Sequence, residues 1–236
     1  MTRPRADLGP SLPGLLPDLR ERATEPELLD AELPASEVRK SLADLRLVNR
    51  WLSGRRGLLR AVAPHLPERG RMIDVGCGSG DVAAYLSTGL GRPVFTVGVD
   101  VKPLHLREAP PVVRCVAADA WRLPFRDASF DVVTASLFLH HFDEAELGPL
   151  LRELARVGRR AIVVSDLERA LVPFVFARLV FPLVFKTGVS VHDGLVSIRR
   201  AFREAELRAG FAAAGLGGVA IRRQFPYRLL AVAALS

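Results

Sequence analysis

The chain has 236 residues, of which 49% are apolar, enough for one α/β domain with a full core and appended segments. Its formal net charge of +7 does not predict a nucleic-acid partner, because nearly all the positive charge is arginine scattered among acids. The only cysteines, Cys77 and Cys115, predict a reduced, cytoplasmic protein with neither a disulfide framework nor a metal site, and we expect no signal peptide.

The N-terminal third is predicted to precede the main domain. Residues 1–35 are rich in proline, arginine and acids without periodicity, which predicts a loose tail. Ser36 is predicted to cap a helix, followed by a short helix over Gly57–Leu66. The first helix has one apolar stripe, formed by Val38, Leu42, Leu45 and Leu52. Together the two helices predict an N-terminal helical cap over residues 36–70.

The most informative motif follows this cap. A short apolar strand, Arg71–Val75, runs into a glycine turn and then into a helix that ends near Leu90. This layout is typical of a nucleotide-binding crevice, in which glycines let the main chain approach a ligand closely. A dinucleotide fingerprint requires a third glycine at the position occupied by Asp81, which disfavours a nicotinamide-dependent oxidoreductase. A carboxylate at this turn suits a positively charged ligand.

Strands and helices alternate through the rest of residues 71–236. Four further short apolar runs predict strands at Val94–Val99, Val112–Val116, Asp131–Ala135 and Ala161–Ser165. Helices are predicted at Asp143–Val157 and Ala201–Ala214, and a hairpin at Val219–Gln224 and Tyr227–Ala233. The fold class is therefore α/β, a Rossmann-like doubly wound seven-stranded sheet that is mostly parallel and ends in an antiparallel hairpin.

An apolar insertion at about residues 167–200 interrupts this alternation. Residues 171–185 are strongly apolar but short for a membrane span, and they contain two prolines and Arg178. Two interpretations remain: a helical lid over an apolar substrate pocket, or a patch that touches a membrane or a partner. Its position after the fifth strand favours the lid, because ligands bind beyond the carboxyl ends of such strands.

The pattern Asp-x-Gly-x-Gly-x-Gly at residues 74–80 resembles motif I of the class I S-adenosylmethionine (SAM) dependent methyltransferases. The resemblance implies SAM as the cofactor and the seven-stranded topology of that family. It also implies a set of cofactor-binding residues: Asp74, Gly76, Gly78 and Gly80 in the turn, Asp100 at the ribose, and Asp119 and Ala120 at the adenine. A SAM-binding protein without methyl transfer remains a competing interpretation.

The fourth strand end indicates the acceptor class. Methyltransferases acting on amines of bases carry an Asn/Asp-Pro-Pro-aromatic loop there, whereas this chain has Ala135–Phe138. The region resembles small-molecule methyltransferases, including quinone-biosynthesis members. Residues 45–50 and 192–202 resemble a bacterial subgroup associated with type III polyketide synthases. The resemblance implies a hydrophobic phenolic, quinone-like or pyrone-like acceptor methylated on oxygen, with an RNA or protein methyltransferase as the alternative.

A phenolic acceptor would benefit from a base. The candidates are His192, Asp193, His140, His141 and Asp166, of which His192 beside Asp193 is the preferred pair. A histidine at the start of a helix also packs or caps, so a bystander role for His192 stays open. Arg46, Asn49 or Arg50 of the first helix are candidates for contacting the SAM carboxylate or the substrate, against the alternative of ordinary surface residues.

Overall fold

A computed structural model describes residues 17–52 and 54–235 of the chain. One sheet of seven strands runs through this described part. The strands are β1 (Arg71–Val75), β2 (Phe95–Asp100), β3 (Arg114–Ala117), β4 (Phe130–Ser136), β5 (Gly158–Leu167), β6 (Ala220–Gln224) and β7 (Arg228–Ala234).

The strand order across the sheet is β3-β2-β1-β4-β5-β7-β6. The five strands from β3 to β5 in this order are parallel to one another, whereas β7 is antiparallel to both β5 and β6. The order reverses between β1 and β4, which opens a crevice at the carboxyl ends of the central strands. The predicted fold class, a mostly parallel doubly wound sheet closed by an antiparallel hairpin, is confirmed.

Eight helices accompany the sheet in the described ranges. They are α1 (Ala35–Leu52), α2 (Arg55–Val62), α3 (Asp81–Gly89), α4 (Pro103–Leu106), α5 (Glu144–Val157), α6 (Leu171–Val184), α7 (Gly188–Arg200) and α8 (Glu204–Ala213). Short 3₁₀ turns lie at Leu28–Asp30, Ala63–His65 and Leu139–His141. None of these helices has the length and hydropathy required of a membrane span.

Both faces of the central strands are covered by helices and buried. Successive side chains of a strand point to opposite faces, so neighbouring residues pack into different clusters. In β1, Ile73 packs into the cluster that contains α5 and α8, while its neighbour Met72 packs into the cluster of α2 and α3. Burying each such side chain fully contributes about 1.5–3 kcal/mol. These two apolar layers hold the strand ends of the crevice at fixed positions.

Among the predicted helix starts that differ from the structure, two are shifted by a neighbouring backbone contact. Helix α1 begins at Ala35, since the Pro34 carbonyl accepts the Val38 amide at 3.1 Å, so Ser36 lies inside the first turn instead of capping it. Helix α8 begins at Glu204 rather than at residue 201, because Phe202 forms an isolated β-bridge with Glu168, just beyond the end of β5. In both cases a neighbouring backbone contact shifts the boundary.

The loose tail predicted for residues 1–35 stays a prediction for residues 1–16, which lie outside the described part, and residues 17–34 have little regular structure but make fixed contacts. This segment crosses the crevice and is held by long-range hydrogen bonds, such as that from the Ala23 amide to the Arg199 carbonyl at 3.2 Å. Glu27 and Leu29 are buried. Residues 17–34 do lack periodicity, and tertiary contacts rather than local structure fix their position.

Candidate active site

The glycine turn between β1 and α3 forms one wall of the site. Gly76, Gly78 and Gly80 all have positive φ, at 69°, 53° and 65°. A Cβ on Gly76 would lie 2.0 Å from the Phe138 ring, whereas a Cβ on Gly78 would meet no protein atom within 4 Å. The main chain at Gly78 therefore faces open space, as a ligand that approaches the backbone requires.

Asp100, at the end of β2, fixes this turn to the next strand. Its Oδ2 accepts the Gly78 amide at 2.9 Å and its Oδ1 accepts the Lys102 amide at 2.9 Å. Burial by itself would raise the pKa of Asp100, but hydrogen bonds from His105 and from these amides outweigh it and lower the pKa. Asp100 is thus an anchored carboxylate beside the turn.

Two further carboxyl groups crowd the start of α3. The pKa of Asp74 is raised to about 7. Burial is the largest cause, the charges of Asp81 and Asp100 add to it, and the hydrogen bond from Thr134 opposes it. Burial also raises the pKa of Asp81. Its Oδ1 accepts from Asn49, but its buried Oδ2 has no hydrogen-bond partner in the described ranges. The donor set fits a cationic ligand, which would satisfy this orphaned oxygen.

Asp119 and Ala120 follow β3 at the opposite side of the turn. The Asp119 carboxylate accepts the Trp121 amide at 3.0 Å, and the Trp121 ring meets Phe142 edge-on with centroids 5.3 Å apart. These residues line the same cavity as the turn. Six of the seven residues predicted to bind the cofactor line this cavity; the exception is Gly80, where a Cβ would meet Ala109 at 3.1 Å.

One cavity of about 420 Å³ extends from the glycine turn to α6 and α7. Its far end is mostly apolar, and the side chains that line it come from the β4 end, β5 and the two helices. They are Phe138, Phe142, Leu167, Phe181, Phe185 and Ile198. Because a single space joins the polar turn to this apolar end, two molecules can meet inside it.

Polar groups at the apolar end form the histidine cluster, defined as Glu27, Asp30, His140, His141 and Asp166. His140 Nδ1 lies 2.7 Å from Asp166 Oδ1, and His140 Nε2 lies 3.3 Å from Glu27 Oε1. His141 Nδ1 lies 3.2 Å from Asp30 Oδ2, and its Nε2 lies 3.9 Å from Glu27 Oε2. Burial alone would lower the pKa of His140, but Asp166 and Glu27 outweigh it and raise the pKa to about 10.

The preferred catalytic pair is arranged differently from the sequence-based expectation. His192 is not among the residues that line the cavity, and its side chain is 45% exposed. Asp193 does line it, but its two carboxylate oxygens accept the Leu28 and Leu29 amides at 2.7 and 2.9 Å. Asp193 therefore holds the 3₁₀ turn next to Glu27, which is a positioning role.

The structure separates the three candidates on α1. Asn49 lines the cavity and reaches Asp81, whereas Arg46 and Arg50 are not among the lining residues. Arg46 instead lies 3.9 Å from Glu108. Sequence reasoning missed Glu27 and Asp30, because nothing in the pattern of residues 17–34 distinguishes a buried acid from a solvated one.

Comparison with known proteins begins with residues 73–161, which match the family model described as a methyltransferase domain. A demethylmenaquinone methyltransferase of Roseiflexus sp. (strain RS-1) is 32% identical over 58% of this chain and 56% of its own length. The 27-O-demethylrifamycin SV methyltransferase of Amycolatopsis mediterranei is 34% identical over 38% of this chain and 35% of its own length. The chain thus spans about half or less of these relatives.

Solved structures share the fold. A SAM-dependent methyltransferase from Aquifex aeolicus has a TM-score of 0.61 at 17% identity, covering 87% of this chain and 100% of that one. Magnesium protoporphyrin IX methyltransferase from Synechocystis PCC 6803, with bound SAM, has a TM-score of 0.52 at 17% identity, covering 89% and 88%. The architecture around the crevice is therefore a recurrent one.

Proposed function

We propose that this chain, which carries a class I SAM-dependent methyltransferase domain with SAM as its cofactor, methylates an oxygen atom of an apolar small molecule. The observation that carries the proposal is the single cavity that joins the turn of glycines and carboxylates to an aromatic end. The first half suits a charged nucleoside, and the second suits an apolar ring or chain.

In the cofactor half, each polar group has a matching part of SAM. Asp100 would accept the ribose hydroxyls, and Asp119 with the Ala120 main chain would meet the adenine. Asp74 and Asp81 would neutralise the ammonium group, which relieves the crowding of buried carboxyl groups. When bound, SAM supplies a methyl group already activated by its sulfonium, so the protein generates no electrophile of its own.

In the acceptor half, the protein orients the acceptor and excludes water. Phe138 and Phe142 form an edge-on pair with centroids 5.0 Å apart at the boundary of the two halves. The acceptor hydroxyl would meet Glu27 and His141 at the histidine cluster, rather than His192. Holding the hydroxyl there aligns its oxygen for in-line displacement and favours its ionised form.

The α6–α7 pair supports the lid interpretation of the apolar insertion. On α6, Phe174, Ala177 and Phe181 are buried in one cluster with Ile198 of α7, and Phe181 also lines the cavity. The opposite side of the same helix is apolar and exposed, with Leu179 at 65% and Leu183 at 84%. The inner face supports an apolar acceptor, while the outer face keeps contact with a membrane or partner as the second possibility.

The names of the relatives agree with this acceptor class. They name demethylmenaquinone and 27-O-demethylrifamycin SV, and the second name specifies an oxygen. We extend from them only the class, an apolar small molecule. The absence of a Pro-Pro-aromatic loop at Ala135–Phe138 disfavours an RNA or protein substrate.

The proposal predicts acceptor-dependent release of S-adenosylhomocysteine. Incubation with SAM and an alkyl phenol, an alkyl pyrone or a quinol, followed by mass spectrometry, should show release at least about tenfold above the acceptor-free rate. An oligoribonucleotide and a basic peptide serve as controls and should remain at background. SAM binding without release for any acceptor would instead favour a SAM-binding protein without transfer.

SAM affinity is expected to rise with pH between about 5 and 7 because of Asp74. Its pKa of about 7 means that the free protein holds this proton in that range, whereas a bound ammonium favours the carboxylate. Binding therefore releases a proton, which calorimetry in buffers of different ionisation enthalpy measures. Asp74→Asn should abolish the proton release, and an equal release in this variant would place the titrating group elsewhere.

A further inference from the structure

We propose that Glu27, His140 and His141 form a binding site for one divalent transition-metal ion at the acceptor end of the cavity. A carboxylate oxygen and one nitrogen from each imidazole lie within 4.8 Å of one another. Two histidines and one carboxylate are a donor set that holds Zn²⁺ or Fe²⁺ while leaving positions open for another ligand. We take Zn²⁺ as the probe.

The two imidazoles are oriented as metal ligands are. Asp166 lies 2.7 Å from Nδ1 of His140, and Asp30 lies 3.2 Å from Nδ1 of His141. A carboxylate at Nδ1 holds the proton there and makes Nε2 the more basic, ligating nitrogen. Both Nε2 atoms face Glu27, at 3.3 and 3.9 Å from its two oxygens. Each histidine thus has its own outer carboxylate and directs its other nitrogen to a shared point.

Backbone contacts hold the histidines in place from behind. The Arg200 guanidinium, which is buried, donates to the carbonyls of both His140 and His141. Arg22 donates to the carbonyls of His140 and Phe142 at 3.2 and 3.0 Å. These contacts leave both imidazole rings directed into the cavity, as a preorganised site requires.

Hydrogen bonds from α7 also fix the position of Glu27. The Asp193 carboxylate accepts the amides of Leu28 and Leu29, the two residues that follow Glu27, and the Ser197 hydroxyl donates to Glu27 Oε1. Glu27 is 8% exposed and His140 is 2% exposed, so these polar groups are largely removed from water. In the metal-free chain the protonated His140 faces Glu27, and a divalent ion bound by the three groups would displace that proton.

The place of the cluster gives such an ion a role. All three ligands line the cavity, and the Glu27 segment lies against Asp193 and Ser197 of α7. This step rests on the proposed function: the acceptor hydroxyl would become a further ligand, lose its proton to solvent and be held as an oxyanion. The prediction that the chain has no metal site rests on the two cysteines. The proposed ligands are a glutamate and two histidines from segments more than a hundred residues apart.

The test measures metal binding in the full chain without SAM or acceptor. After chelation and dialysis, we expect one Zn²⁺ per chain by calorimetry and elemental analysis, and d–d absorption bands when Co²⁺ is substituted. Glu27→Gln and His141→Ala should each weaken binding by at least about tenfold. His192→Ala is the matched control, because this histidine lies outside the cavity, and it should bind as the wild type does.

SAM affinity provides the check on folding, because it should stay unchanged in all three variants. Zn²⁺ that still binds to the Glu27→Gln/His141→Ala double variant, or no binding by the wild type, would overturn the metal site. The result is separable from the proposed function. Methyl transfer by metal-free protein would retain the methyltransferase proposal while removing the ion from the acceptor.

Discussion

Gly78→Ala is expected to lower SAM affinity by about tenfold or more while the protein stays folded. No protein atom lies within 4 Å of the added Cβ, so the methyl group would occupy space that the cofactor needs. The positive φ of 53° strains an alanine in the folded state, which lowers the free energy of unfolding by about 1–2 kcal/mol. Calorimetry with SAM and denaturant unfolding measure the two effects separately.

Gly91→Ala is the matched control for this variant. Gly91 has a φ of 64° and an equally open Cβ position, but it follows α3 at a distance from the cavity lining. Its alanine variant should lose the same stability of about 1–2 kcal/mol and keep full SAM affinity. Equal SAM affinity in the two variants would mean that the open space at Gly78 is not where the cofactor approaches the backbone.

The cofactor half of the site could be predicted from sequence because it is built from strand ends. Each of β1, β2 and β3 is a short run with an acid at or near its carboxyl end: Asp74 in β1, Asp100 at the end of β2 and Asp119 just after β3. Strand β1 was predicted with its observed bounds, Arg71–Val75. In a parallel sheet the carboxyl ends of neighbouring strands lie together, so local sequence suffices to bring Asp74, Asp100 and Asp119 to one place.

The acceptor half could not be predicted in the same way. Glu27 meets His140 across more than a hundred residues, and nothing in the periodicity of either segment indicates the other. His192 and Asp193 were predicted as a pair because they are neighbours in sequence, and His192 Nδ1 does lie 3.0 Å from Asp193 Oδ1, but only Asp193 lines the cavity. Asp193 turns toward Leu28 and the cavity while His192 remains half exposed.

Arg169 shows how a residue without a motif can hold several segments together. It follows β5, and its side chain is 1% exposed. Its guanidinium donates to both oxygens of Glu206 at the start of α8, at 2.6 and 3.0 Å. It also donates to the carbonyl of Ala201 at 2.7 Å and to that of Leu19 at 3.1 Å. One planar group thus connects the sheet, α8 and the N-terminal segment.

Arg169→Ala is expected to lower the free energy of unfolding by about 3–5 kcal/mol, because it leaves buried acceptors without a donor. Arg169→Lys should lie between this variant and the wild type, since it keeps the charge but loses the two-pronged contact with Glu206. The exposed Arg222 on β6 is the matched control, and Arg222→Ala should change stability by less than about 0.5 kcal/mol. Denaturant unfolding followed by circular dichroism compares the three. If Arg169→Ala were no more destabilising than Arg222→Ala, the Arg169 guanidinium would not be the connection between α8 and the N-terminal segment. A large decrease in the free energy of unfolding would show that the cavity wall at residues 17–34 depends on this guanidinium.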